Sequence, residues 1–269
     1  MRRITVMLAL ILVAGVWPAA PAVGHAATAA QPTATGVQAD FNNDGAADLA
    51  VGVPGEDVGS ISDAGAVNVL YGSAAKLTGT GSQIFTQDTP GVGSSAEVGD
   101  FFGDALATGD FNDGFTDLAV GVPGESVGTI QAAGAVNVLY GSASGLTGIG
   151  SQIFTQVGSA PEPGDEFGFA LAAGDFNNDG FADLAAGAPF EDAGSTPDVG
   201  AVSVLYGSAA KLTKTGGQIF TQNSPGIPSS AEPGDLLGIA LATGDPHAST
   251  VAAAPSAPGS SAQRMASTR

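Results

Sequence analysis

Residues 65–87 read GAVNVLYGSAAKLTGTGSQIFTQ, and the run returns at 134–156 and 200–222, each later copy sharing 20 of its 23 positions with the first. Self-similarity on this scale marks a chain built by stacking one supersecondary unit, so the fold follows from what one unit is. Asp40, Asp110, Asp175 and Asp245 open successive units at intervals of 70, 65 and 70 residues. The short interval loses one residue inside an Asp-rich loop and four between Gln156 and Asp175. The step from the last Asp of each loop to the next Gly stays at 17 (Asp48 to Gly65, Asp117 to Gly134, Asp183 to Gly200). Length changes confined to two places separate loops from framework.

Within a unit, four short runs rich in Val, Phe, Tyr or Leu and bounded by Gly, Pro or Asp read as strands. In the second unit they are 102–108, 117–122, 134–140 and 152–156. Alternation along the first puts Phe102, Asp104, Leu106 and Thr108 on one face and only Gly103, Ala105 and Ala107 on the other. A sheet with so small a face lets a second sheet approach closely, as the stacked blades of a propeller require. No twelve-residue window sustains a helical period without Gly. The expected fold is therefore all-β: three four-stranded blades and the start of a fourth.

The loops that open the units carry the chemistry. Residues 40–48 (DFNNDGAAD) and 175–183 (DFNNDGFAD) place side-chain oxygens at positions 1, 3, 5 and 9: Asp40, Asn42, Asp44 and Asp48, then Asp175, Asn177, Asp179 and Asp183. The position-7 residues, Ala46 and Phe181, can add a backbone carbonyl, and the Gly at position 6 permits the tight turn. Calcium takes six to eight hard oxygens at roughly 2.3–2.6 Å, and such a loop wraps one ion. A helix–loop–helix calcium site needs a bidentate Glu at position 12, where Val51 and Ala186 stand. The expected sites are therefore strand-flanked calcium loops; the competing reading is an Asx-rich turn without metal. The middle loop, 110–117, is one residue short and offers Asp110, Asn112, Asp113 and Asp117, a weaker calcium site.

Composition narrows the function. Seven Lys+Arg stand against 26 Asp+Glu, and all the acids lie between Asp40 and Asp245, with only Lys76, Lys211 and Lys214 among them. A field of that sign opposes nucleic acid and welcomes cations. The absence of Cys removes disulfides, thiolate metal sites and Cys nucleophiles. The two His are His25 and His247, outside the repeated region, so a Ser-His-Asp arrangement cannot be assembled within it. Arg2 and Arg3 precede an apolar run over 4–17 and a small-residue exit near Ala26, the pattern of a secretory signal rather than of a membrane anchor. The expected organisation is a signal peptide at 1–26, a linker or first strand at 27–39, units at 40–109, 110–174 and 175–244, and a disordered or truncated Ala/Ser/Pro-rich tail at 245–269.

Taken together, Phe102-Gly103, Phe167-Gly168 and Leu237-Gly238 at unit openings, the Asp loops, and Gly52-Val53-Pro54, Gly121-Val122-Pro123 and Gly187-Ala188-Pro189 after them carry a resemblance. The segment from Thr35 to Asp245 resembles the FG-GAP repeat of integrin alpha-subunit N-terminal propellers and of bacterial secreted FG-GAP proteins. The resemblance implies four-stranded blades of a seven-bladed propeller, calcium between strands one and two, and extracellular adhesion or ligand binding. Three units and an opening strand fall short of seven blades, so the chain reads as a propeller fragment, a self-assembling arc or a truncated product, whose open blade edges could self-associate. The Gly-x-Pro motifs read as strand ends. Antiparallel connectivity gathers Glu56-Asp57, Glu125-Ser126 and Glu191-Asp192 with Glu97, Glu162 and Glu232 on the rim opposite the Asp loops, read first as a solvated negative rim and alternatively as a face for a protein or glycan ligand. The rival reading is an accessory domain of a secreted, phospholipase-like hydrolase; no intrinsic catalysis is expected.

Overall fold

The computed structural model describes residues 39–112 and 114–244; the expected signal peptide, residues 27–38, Asp113 and the 245–269 tail lie outside the described residues. Among the described residues every regular element is a β-strand, and consecutive strands pair antiparallel into three sheets. The first sheet holds β1 (Leu49–Val53), β2 (Ala66–Leu70) and β3 (Gln83–Phe85). The second holds β4 (Leu106–Gly109), β5 (Asp117–Val122), β6 (Ala135–Tyr140) and β7 (Thr147–Phe154). The third holds β8 (Leu171–Gly174), β9 (Asp183–Ala188), β10 (Ala201–Tyr206) and β11 (Thr213–Phe220). The second and third are the expected four-stranded blades. The first shows three strands among the described residues, and residues 234–244 repeat the opening of a blade without strand pairing, so the described sheets form no closed ring.

The opening strand starts at Leu106, not at Phe102. Phe102-Gly103 is instead a turn: Phe101 and Gly103 have φ of 57° and 96°, and the Asp104 amide donates to the Phe101 carbonyl at 3.0 Å. The reason lies in the neighbouring blade. Phe102 forms a parallel bridge with Gly65, its amide donating to the Ala64 carbonyl at 3.0 Å; Phe167 repeats this on Gly134 and Leu237 on Gly200. The last strand is longer than the sequence indicates, running from Thr147 to Phe154 with a register irregularity opposite Val138 and Tyr140.

The turn also explains the Gly-x-Pro motifs, whose glycines do more than end strands. A Cβ built on Gly52 would lie 2.0 Å from the Gly103 carbonyl oxygen, on Gly121 2.1 Å from that of Gly168, and on Gly187 2.0 Å from that of Gly238. Each motif glycine thus admits the backbone of the next blade, a close approach that any side chain blocks. The Gly103 amide donates to the Gly121 carbonyl of its own blade at 3.0 Å, and Gly168 to Gly187 at 2.9 Å.

Two apolar layers fill the seams. Between blades one and two, Phe41, Phe102, Val67, Val69, Leu118, Val120 and Leu139 are buried together. Between blades two and three the matching layer holds Phe111, Phe167, Val136, Val138, Leu184, Ala186 and Leu205. Each Phe removed from water stabilises the stack by about 1.5–3 kcal/mol. Ala107 of β4 and Ala173 of β8 pack against the second layer, which bears out the small-residue character of the opening strand although Gly103 lies outside it.

Gly121→Ala is expected to lower the unfolding free energy by about 2–4 kcal/mol, because backbone rather than a yielding side chain blocks the new methyl. Gly79→Ala, with nothing within 4 Å of its Cβ position, is the control and should change stability by no more than about 0.5 kcal/mol in the same urea titration.

Candidate functional site

Each Asp loop is folded by its own carboxylates. In the first, Asp40 Oδ1 accepts the Asp44 amide at 3.0 Å and Oδ2 accepts that of Gly45 at 2.9 Å. Asn42 Oδ1 accepts the same Asp44 amide at 3.1 Å, and Asp44 Oδ1 accepts that of Ala46 at 2.8 Å. The third loop repeats the set: Asp175 Oδ1 and Asn177 Oδ1 lie 3.1 and 2.9 Å from the Asp179 amide, and Asp179 Oδ1 lies 3.0 Å from that of Phe181. Positions 1 and 3 are drawn to one point because they share one N–H. Asp44 stands beside them, its Oδ2 3.2 Å from Asn42 Nδ2.

The last Asp of each loop is buried and acts as a clasp. Asp48 accepts the Phe41 amide at 2.8 Å through Oδ2 and the Gly72 amide, beyond β2, at 2.8 Å through Oδ1. Asp117 does the same with Phe111 and Gly141, and Asp183 with Phe176 and Gly207. The one-residue deletion in the middle loop therefore leaves Asp117 in place. Asp110 Oδ1 there accepts the Asn112 and Gly114 amides at 3.2 and 3.0 Å, while the buried Asn112 Oδ1 meets no partner among the described residues. Burial, and then the charges of Asp40 and Asp44, raise the pKa of Asp48 against the pull of its two amide donors; Asp183 is raised in the same way, with Asp179 and Asp175 as its neighbours.

These residues fit calcium. Their donors are all hard oxygens, each carboxylate oxygen holding one N–H keeps a second lone pair, and like charges crowd the loop. The first and third loops supply side-chain oxygens at all four expected positions. No group of three or more Asp, Glu or His side chains forms a ready-made cage among the described residues.

The opposite rim departs from the sequence reading. Glu191 is buried and Glu125 half-buried, neither a solvated rim charge, because a Gln of the preceding blade closes over each. Gln156 Nε2 donates to Glu191 Oε2 at 2.7 Å, and Gln87 Nε2 donates to Glu125 Oε2. Asp100 and Asp165, which the sequence analysis did not single out, are buried in the same two seams and accept the amides of Glu97 and Glu162 at 2.6 Å. The only sequence sign of them is the recurring Gly-Asp two residues before Phe-Gly. Burial, followed by the charge of Asp100, pushes Glu125 up to about 7, the Gln87 bond opposing and Glu97 reinforcing. Burial likewise pushes Asp165 up to about 7, with Glu191 and Glu162 as its charged neighbours. Between these seams lies a cleft of about 670 Å³ lined in part by Glu97, Phe101, Asp104, Glu166 and Phe169. Glu56, with no described blade before it, stays exposed.

Comparison with known proteins fits this architecture. The FG-GAP repeat matches residues 33–70, 102–139 and 167–205. The chain carries three FG-GAP repeats. Phosphatidylinositol-glycan-specific phospholipase D of Rattus norvegicus is 35% identical over 169 residues, which are 62% of this chain and 20% of that enzyme. The Homo sapiens enzyme is 36% identical over 171 residues, with the same two shares. Integrin alpha-3 of Mus musculus is 34% identical over 137 residues, 50% of this chain and 12% of the integrin. The FG-GAP chain thus spans about a fifth of the length of the phospholipase relatives and less of the integrin. No helix among the described residues is long and apolar enough to cross a membrane.

The buried acids fix a pH dependence. Both Glu125 and Asp165 bind protons more tightly folded than unfolded, so their stabilisation is full below their ordinary values of 4.5 and 3.8 and fades as pH rises towards about 7. With a chelator present, so that no metal contributes, unfolding free energy should decline across that window. Glu125→Gln with Asp165→Asn should flatten the decline while retaining the seam hydrogen bonds.

Proposed function

We propose that this protein is a secreted, calcium-dependent FG-GAP module that binds an extracellular protein or glycan. The observation carrying the calcium reading is the shared amide that draws Asp40 and Asn42, and again Asp175 and Asn177, to a single point beside a third carboxylate. Asp40, Asn42, Asp44 and Asp48 would hold one ion, with the Ala46 carbonyl; Asp175, Asn177, Asp179 and Asp183 would hold another, with the Phe181 carbonyl. Bound calcium supplies charge neutralisation and cross-links the loop. The protein's own side chains fix the loop's ends: Asp48 and Asp183 tie the loop start to Gly72 and Gly207, just past β2 and β10, and Phe41 anchors the first loop in the seam. The middle loop, with Asp110, Asn112, Asp113 and Asp117, would be a weaker site. Ligand binding is assigned to the opposite rim, where the carboxylates Asp104 and Glu166 stand beside Phe101 and Phe169.

A second reading, an accessory module of a phospholipase-like hydrolase, takes its support from the similarity to phosphatidylinositol-glycan-specific phospholipase D. In either case the described blades would act by binding rather than by catalysis.

Calorimetry is expected to show two stronger calcium sites and one weaker or absent, with dissociation constants of roughly 10⁻⁴–10⁻³ M. Asp44→Ala and Asp179→Ala should each remove a strong site. Calcium should raise the melting temperature and a chelator lower it, since a ligand of the folded state stabilises by mass action. Calcium at several millimolar producing neither heat nor a thermal shift in folded protein would reduce the loops to turns. For the rim, Asp104→Asn with Glu166→Gln should weaken capture of a labelled oligolysine peptide more than Glu56→Gln with Asp57→Asn does; equal effects would remove the cleft from the assignment.

A further inference from the structure

We propose that the first and third blades carry complementary halves of one more blade seam, and that a second copy of this chain fills it head to tail. Three positions on the leading face of the first blade are exposed where their repeats are buried. Leu49 is 44% exposed against 0% for Leu118 and Leu184, Val51 39% against 0% for Val120 and Ala186, and Leu77 42% against 2% for Leu146 and Leu212. The buried counterparts all pack against the preceding blade.

The trailing face of the third blade shows the converse. Phe176 is 46% exposed, whereas Phe41 and Phe111, at the same place in the first two Asp loops, are 0% exposed under the following blade. Tyr206 and Phe220 are only half-buried, whereas their counterparts Tyr140 and Phe154 are buried. The side chains that make the two existing seams are therefore present on both open faces, in sequences that repeat almost residue for residue.

The existing seams also supply the docking geometry. Leu212 is buried beside Tyr140, and Lys211 stands 3.8 Å from the centre of the Tyr140 ring. Lys76 and Leu77 occupy these two positions in the first blade, so an incoming copy would bring Lys76 over Tyr206 and Leu77 beside it. That contact also sets a cation in a strongly acidic surface. Residues 241–244 belong to no strand, and Thr243 Oγ1 donates to the Ala173 carbonyl at 2.9 Å, so this segment lies on the same face that the incoming blade would cover. The two faces differ, so the contact is heterologous and propagates until a ring closes. Like charge on every copy opposes it, so association strengthens as salt screens that repulsion.

The test uses light scattering after gel filtration on the wild-type protein, on Leu77→Asp, on Phe176→Lys, and on an equimolar mixture of the two variants, at high salt. Circular dichroism melts confirm that both exposed-site variants are folded. The wild type should form concentration-dependent oligomers and each variant should be monomeric. The mixture should recover a dimer and nothing larger, because it retains one intact leading face and one intact trailing face. A monomeric wild type at the highest soluble concentration overturns the proposal and leaves the two faces to blades of a different chain. Oligomers that survive both substitutions, or a mixture that stays monomeric, place any association elsewhere on the surface.

Discussion

At each seam the α-carbon of a strand glycine faces the carbonyl oxygen of the next blade's Phe-Gly or Leu-Gly turn, at a separation that leaves no room for a Cβ. The other features of the stack follow from that approach. It brings the Phe102 and Phe167 amides within reach of the Ala64 and Ala133 carbonyls, so backbone hydrogen bonds stitch neighbouring sheets as well as neighbouring strands. It also lowers Phe102 and Phe167 into the apolar layers, where burial supplies the stabilisation that short strands lack alone. Left-handed backbone at Phe101, Glu166 and Leu236 turns the chain into position just before each of these contacts.

The same stacking divides the acids into two kinds. On one rim, Asp40, Asp44, Asp175 and Asp179 are satisfied by amides of their own loop, while Asp48, Asp117 and Asp183 are buried and clasp the loop to the chain beyond the neighbouring strand. On the other, Asp100 with Glu125 and Asp165 with Glu191 are shut between blades, and burial raises all four, Glu125 and Asp165 to about 7, because desolvation disfavours the charged form. Acidification thus favours the seams.

Position within the stack, rather than sequence, sets the environment of each copy. Asp40 is buried because Phe41 plugs the seam below the second blade and the Thr116 hydroxyl meets the Asp40 amide, whereas Asp175, in a nearly identical loop, is exposed. Leu77, Leu146 and Leu212 tell the same story on the facing surface. An identical residue is core or surface according to whether a neighbouring blade is present.

The sequence by itself determined the repeat, the all-β class, the number of units and the oxygen-bearing positions of the Asp loops. These are encoded by local spacing: Gly and Pro end strands, and carboxylates four and five residues from an amide fold a loop without outside help. It misplaced the opening strand at Phe102, took Glu125 and Glu191 for solvated charges, and passed over Asp100 and Asp165. Only the tertiary structure decided those points. Whether Phe-Gly is strand or turn, and whether a carboxyl is wet or dry, depends on backbone carbonyls and glutamines brought from some 35 to 51 residues away by blade stacking, and no periodicity within one unit records which neighbour will cover it.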